Sequence, residues 1–229
     1  MNTTARIALK LIPDSLQTQP VFLCVDDTMV SKFGTKFENV SKLFDHAAHN
    51  GSNYLNGHCF VNVMLCVPVW NGDKVSHLSV PLGYRMWQKK ESKLELAASM
   101  IRQVMPEFHS KDHIIILCDS WYTKQNLVSI VDEYPNLDLI GNARIDSVMY
   151  DLAPAQTGRD RMKYIPLLLY SLRWNIETSY YEQKTFWSFC NYMVRSCKGI
   201  EMLVNLINIS YCSMTKALKQ LIHQQVYHL

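Results

Sequence analysis

The sequence predicts an α/β layer protein, and three observations predict it. Two short apolar runs, Phe22-Leu-Cys-Val-Asp-Asp27-Thr28 and Ile114-Ile-Ile-Leu-Cys-Asp119-Ser120, have the hydropathy of strands covered on both faces, and each ends in aspartate. Between them lie a hairpin pattern and a capped amphipathic helix. Beyond the second run, helical and strand patterns alternate.

Each element has its own reason. The first strand is placed at 21–27. Residues 32–58 are polar, contain Gly34, Gly51 and Gly57, and read as loop. Phe60 to Trp70 reads as a strand, Asn71-Gly72-Asp73 as a turn, and His77 to Met86 as the returning strand. Pro81 gives that strand an edge position, because proline has no N–H to donate to a second neighbour. Ser92-Lys-Leu-Glu95 is a capping-box pattern opening a helix that runs to about Met105, and Pro106 stops it. A strand at 113–118, a helix over Thr123–Glu133 and a strand at 137–145 follow. The segment from Tyr150 to Tyr164 reads as loop. A helix from Pro166 to about Phe189 comes next, then a last helix over 200–222 whose apolar side is Leu203, Val204, Ile207, Met214, Leu218 and Leu221.

The 229 residues suffice for one sizeable core, and the length predicts one or two domains. The formal net charge of +3 permits a nucleic-acid partner without demanding one. The seven cysteines contain no Cys-x-x-Cys pair and sit mostly inside apolar strands, so they read as small buried hydrophobes in a reducing compartment rather than disulfides or zinc ligands. No stretch approaches the ~18 apolar residues of a membrane span, and the first ten residues lack the apolar run of a signal peptide. The expected location is therefore the cytoplasm, with no membrane partner.

Tyr170, Arg173, Glu177 and Lys184 carry the most chemical information. At roughly 100° per residue they fall within an arc of about 60° on one helix face. A tyrosine, two cations and a carboxylate in one stripe make a wall suited to a polyanion. Arg173 and Glu177, at i,i+4, could by themselves be a surface bridge, but Glu177 and Lys184 are too far apart for one.

The stripe, with its two strand-end aspartates upstream, resembles the DDE transposases of the insertion-sequence-four type. Their Tyr-x2-Arg-x3-Glu-x6-Lys signature is matched at all four places, Tyr170, Arg173, Glu177 and Lys184, and their Asp-Thr pair by Asp27-Thr28. The resemblance covers roughly residues 20–210. It implies a ribonuclease H-like mixed sheet, three antiparallel strands followed by alternating helix and strand, flanked by helices and with further C-terminal helices. It divides the chain into an N-terminal remnant (1–20), the catalytic domain (21–190) and a C-terminal helical segment (191–229). A short loop at 150–165 lies where family members carry an insertion.

The resemblance also implies an activity: cleavage and strand transfer of DNA assisted by two Mg²⁺ ions, with Mn²⁺ able to substitute. Two ions about 3.5–4 Å apart clamp the attacking and leaving oxygens and need shared carboxylates. Asp27, Asp119 and Glu177 are the implied catalytic and metal-binding acids. Strand parity leaves Asp26 and Asp27 open, since a central strand is covered on both faces; the Asp-Thr pair selects Asp27. Tyr170, Arg173 and Lys184 are the implied DNA-binding residues, with arginine suited to bidentate phosphate contacts. Trp87, Trp121, Trp174 and Trp187 are candidates to stack a base, although core packing is the commoner role of tryptophan. The implied partners are transposon-end and target DNA, bound by a homodimer.

Only about 20 residues precede the first strand, and 58 separate Asp119 from Glu177. The expectation is a truncated transposase with impaired recognition of transposon ends. The alternatives are a catalytically silent remnant that binds DNA or an intact transposase, and a structure-specific ribonuclease H-like nuclease.

Overall fold

A six-stranded mixed sheet organises the chain in the computed structural model, which describes residues 1–34, 36–44, 53–142 and 169–226, with side chains to 215. The strands are β1 (Val21–Ser31), β2 (Ser41–Phe44), β3 (Tyr54–Asn71), β4 (Lys74–Met86), β5 (Ile114–Cys118) and β6 (Leu137–Gly141). The hydrogen-bonded path runs β2-β3-β1-β5-β6, with β4 also paired to β3. β1 is antiparallel to β3 and parallel to β5, and β5 is parallel to β6. Four antiparallel strands, one more than expected because β2 is added, followed by two parallel ones give a sheet consistent with the ribonuclease H-like architecture that the resemblance implied.

The helices are α1 (Asn2–Leu9), α2 (Lys93–Val104), α3 (Gln125–Val128), α4 (Trp174–Phe186) and α5 (Cys197–Val226). Two apolar layers form on the sheet's faces. Leu23 and Val25 of β1 join Val61, Val63 and Leu65 of β3 beneath α1, α2 and α3. Phe22 and Cys24 join Phe60, Met64 and Ile176 on the face covered by α4 and α5. β1 therefore contributes alternate side chains to two cores, which is why its sequence shows no apolar–polar alternation.

Several expectations hold. Ser92 caps α2, accepting from the Glu95 backbone while Glu95 reaches back to the Ser92 N–H, both halves of the capping box. β4 pairs with β3 alone among the described strands, so Pro81 lies on an edge, and the register slips at Val63/Met64 opposite it. Helix α5 covers that edge with polar groups at i, i+4 and i+7: Glu201 accepts from Met86 N, Asn205 exchanges two bonds with Tyr84, and Asn208 donates to Pro81 O. An exposed row of strand N–H and C=O groups is thereby satisfied. All seven cysteines are free, and Cys24, Cys59, Cys66 and Cys118 are buried.

Other expectations are corrected. Part of the region read as loop is strand: β2 pairs with Tyr54–Gly57, so β3 begins six residues before Phe60. Gly57 is where β1 and β2 both meet β3, and any Cβ there would collide with the Val30 carbonyl. The helix expected over Thr123–Glu133 is a single α-turn followed by 3₁₀ backbone. The signature segment starts with a 3₁₀ turn, Ser171–Arg173, before α4 proper. In the last helix Val204 is buried, but Met214 is exposed. The expected loop at 150–165, Pro166 and the end of the strand placed at 137–145 lie outside the described residues. No helix among the described residues is long and apolar enough to cross a membrane.

Candidate active site

Asp26 and Asp27 are consecutive on β1, so their side chains leave the sheet on opposite faces. Asp27 follows the row of Leu23 and Val25 towards α2. Its Oδ2 accepts from Lys93 Nζ at 2.7 Å and from Cys59 Sγ at 3.0 Å, and its Oδ1 accepts from the Tyr122 hydroxyl at 2.9 Å. Lys93 is the first residue of α2, between the Trp121 and Trp87 rings. Burial works against its charge, but the Asp27 carboxylate and Cys59 together outweigh burial and raise its pKa. Asp27 and Lys93 thus tie the start of α2 to β1.

Asp26 faces the other way, towards α4. Its Oδ1 accepts the Asp27 backbone N–H at 2.8 Å, and its Oδ2 lies 3.4 Å from Arg173 Nη1. Burial, then the charges of Asp27 and Asp119, push its carboxyl up to about 7, against the pull of that N–H and of Arg173. Asp119 is near because the parallel ladder aligns Val25 with Cys118, so the next residue on each strand is an acid. Asp119 Oδ1 accepts from the backbone N–H groups of Trp121 and Tyr122 at 3.0 and 3.3 Å, an Asx turn that ends β5 and carries Tyr122 to Asp27.

The signature segment brings the remaining groups to the Asp26 face. Arg173 is buried, and its Nη2 donates to Glu177 Oε1 at 2.7 Å while Nη1 reaches Asp26. One guanidinium therefore joins the two acids. The Tyr170 ring centroid is 5.6 Å from the Arg173 guanidinium carbon, and its hydroxyl is buried with no hydrogen-bond partner among the described residues. Lys184 Nζ donates to the Met29 carbonyl at 2.9 Å, three residues further along β1 than Asp26. Of the four tryptophans considered for base stacking, Trp87 and Trp121 pack on the α2 core, Trp187 contacts Tyr211, and Trp174 is exposed.

The geometry thus gathers Asp26, Asp119, Arg173, Glu177 and Tyr170, with Lys184 alongside, and turns Asp27 away. The Asp-Thr pair pointed to Asp27; strand alternation places Asp26 beside the signature instead. Sequence reasoning also passed over Lys93 and Tyr122. A lysine at the first helical position, where the helix dipole disfavours a cation, was the available signal for a fixed partner.

Among the described residues no three His, Cys, Asp or Glu side chains are grouped as ligands of one ion. The donors are nonetheless carboxylate oxygens of the kind Mg²⁺ takes. Asp26 is a buried acid crowded by two others, a concentration of negative charge that a divalent cation offsets. In kind, then, the residues suit such an ion, with Arg173 lying between Asp26 and Glu177.

Fold and site together define a ribonuclease H-like protein whose acids meet where the pairing of its two central parallel strands ends. The DDE superfamily endonuclease family matches residues 2–166, well over half of the chain, and the chain belongs to that family. The match takes in both aspartate-bearing strands and ends before Tyr170. Membership makes this a nuclease- or transposase-type domain, of a family that acts on DNA and generally uses divalent metals. Neither a curated protein nor a solved structure matches the chain.

Proposed function

We propose that the chain is the catalytic domain of a DDE transposase of the insertion-sequence-four type, performing DNA cleavage and strand transfer, with Asp26, Asp119 and Glu177 as its acids. The observation that carries this reading is Arg173, which lies between Asp26 and Glu177, with Asp119 close to Asp26. The three acids would hold two Mg²⁺ ions, which when bound supply charge stabilisation at the attacking and leaving oxygens. Arg173 is placed to exchange its carboxylate contacts for a phosphate beside the cut, with the Tyr170 ring packed against the guanidinium. Lys184 adds a point charge along the strand. Asp27 serves the fold by anchoring α2, which fixes the segment of β1 that presents Asp26. The catalytic unit takes in α1 and the start of α5 as well as residues 21–190, since Ala5 and Ala8 belong to the sheet's core and Asn205 binds its edge. On DNA the domain works as a homodimer.

Nicking and strand transfer on transposon-end DNA in Mg²⁺ test the reading. Asp26→Asn, Asp119→Asn and Glu177→Gln should each abolish both reactions with unchanged circular dichroism. Nicking by all three variants at the parental rate would overturn it. Nicking of branched or mismatched DNA without strand transfer would instead identify a structure-specific nuclease. One observation favours a silent remnant: the acids are not grouped as ligands, and Arg173 occupies the gap between two of them. Such a remnant would bind DNA without cleaving it in either Mg²⁺ or Mn²⁺.

A further inference from the structure

Beyond the end of β1 lies an open cleft of about 720 Å³, lined by Lys32, Phe33 and Gly34, by Phe37 and Val40, and by the start of β3 at Tyr54–Asn56. Its volume lies within the ~300–1,000 Å³ typical of small-molecule sites. Lys32 is only 9 % exposed. Its Nζ donates to the carbonyls of Cys190 and Tyr192 at 2.7 and 3.3 Å and sits 3.6 Å from the centroid of the Tyr192 ring. None of these partners is an anion, and among the described residues Lys32 forms no ion pair. A buried cation without a counter-charge costs free energy, and an incoming anion offsets it. Phe33, the next residue, is 90 % exposed, the most exposed large apolar side chain among those described.

Lys32 ties the cleft to the side of the sheet that carries Asp26. Lys32 has the same strand parity as Asp26, and its carbonyl partners follow α4. Six residues of strand place it about 20 Å from Asp26, and Lys184 touches β1 at Met29, midway between. At ~3.4 Å of rise per nucleotide that distance is about six nucleotides of duplex.

Resting on the DNA reading above, we propose that this cleft is a second DNA subsite. It takes one nucleotide of the strand on the flank of the cut, with its phosphate towards Lys32 and its base stacked on Phe33. Aromatic stacking is sequence-tolerant because every base has a π face, so the subsite holds the flank without reading it.

The test is fluorescence anisotropy in EDTA, which prevents cleavage, with a labelled single-stranded oligonucleotide and an abasic strand of the same length. Phe33→Ala removes an exposed side chain and spares the fold. It should weaken binding of the base-bearing strand about tenfold and leave the abasic strand's affinity unchanged. Lys32→Met should weaken both and lower the slope of log affinity against log salt by about 0.7, one phosphate's worth on a single strand. If the parent binds and Phe33→Ala binds equally well, the subsite is overturned while the DNA reading stands. If the parent binds neither strand, both fall together. A loss in Phe33→Ala that is equal on the two strands also overturns base stacking, because the abasic strand has nothing to stack.

Discussion

Replacing Asp27 by alanine should destabilise the protein far more than it impairs the chemistry. The Asp27 and Lys93 side chains are 16 % and 19 % exposed, and the carboxylate also accepts from Tyr122 and Cys59. Removing one partner of a buried pair leaves the other charge uncompensated, at a cost of about 3–5 kcal/mol. Because a little solvent reaches both groups, the lower end applies, about 3 kcal/mol. For a domain of this size each kcal/mol moves Tm by about 2–4 °C, so Asp27→Ala should melt about 6–12 °C lower. The double variant Asp27→Ala/Lys93→Met removes both charges and should recover much of that loss. By contrast, Asp26→Asn deletes a buried charge crowded by Asp27 and Asp119 and should melt no lower than the parent. Thermal unfolding followed by circular dichroism decides the matter. An Asp27→Ala protein that melts with the parent and has lost nicking would refute the division of roles between the two aspartates.

Four further outcomes are expected. Ser92→Ala removes the capping box of α2 and should cost about 1 kcal/mol, read as a Tm lower by about 2–4 °C; no shift would count against the cap's contribution. Arg173→Lys keeps a positive charge but cannot join two acids or bind a phosphate bidentately, so strand transfer should drop at least tenfold; parental activity would remove Arg173 from the site. EDTA should abolish nicking, and Mg²⁺ or Mn²⁺ should restore it; cleavage persisting in EDTA contradicts a metal-assisted site. Burial lowers the pKa of His58, which bonds the Tyr192 hydroxyl and the Glu38 carbonyl. Below the ordinary histidine pKa of about 6.5 the unfolded chain therefore binds a proton that the folded chain refuses. The stability advantage of the parent over His58→Leu is then complete above that pH and shrinks as pH falls towards the lowered folded value. Urea unfolding at several pH values from about 8 to 5 checks the sign, and a widening advantage in acid contradicts it.

The sequence foretold most clearly the features written in local pattern. The Ser92–Glu95 box opened α2 where expected, the hairpin turned at Asn71-Gly72-Asp73, and Pro81 lay on an edge, because each depends on backbone chemistry within a few residues. Features that depend on distant partners were hidden. β2 and the first residues of β3 stabilise one another by pairing Ser41–Phe44 with Tyr54–Gly57, and Ser41-Lys-Leu-Phe44 is too short and polar to announce a strand. The polar face of α5 was passed over in favour of its apolar one, yet Glu201, Asn205 and Asn208 are what cover the sheet edge. Likewise the choice between Asp26 and Asp27 could not be made from hydropathy, since Phe22 and Leu23 are equally apolar and serve different cores. The signature spacing singles out Arg173 and Glu177 as candidates; the direction in which β1 alternates decides which aspartate Arg173 reaches.

Calorimetric titration of Mg²⁺ into the parent, Asp26→Asn and Asp27→Asn tests the central assignment most directly. Placing Asp26 with Asp119 and Glu177 predicts saturable binding by the parent, retained binding by Asp27→Asn, and its loss in Asp26→Asn, with all three proteins folded. Binding lost in Asp27→Asn and kept in Asp26→Asn would contradict the account.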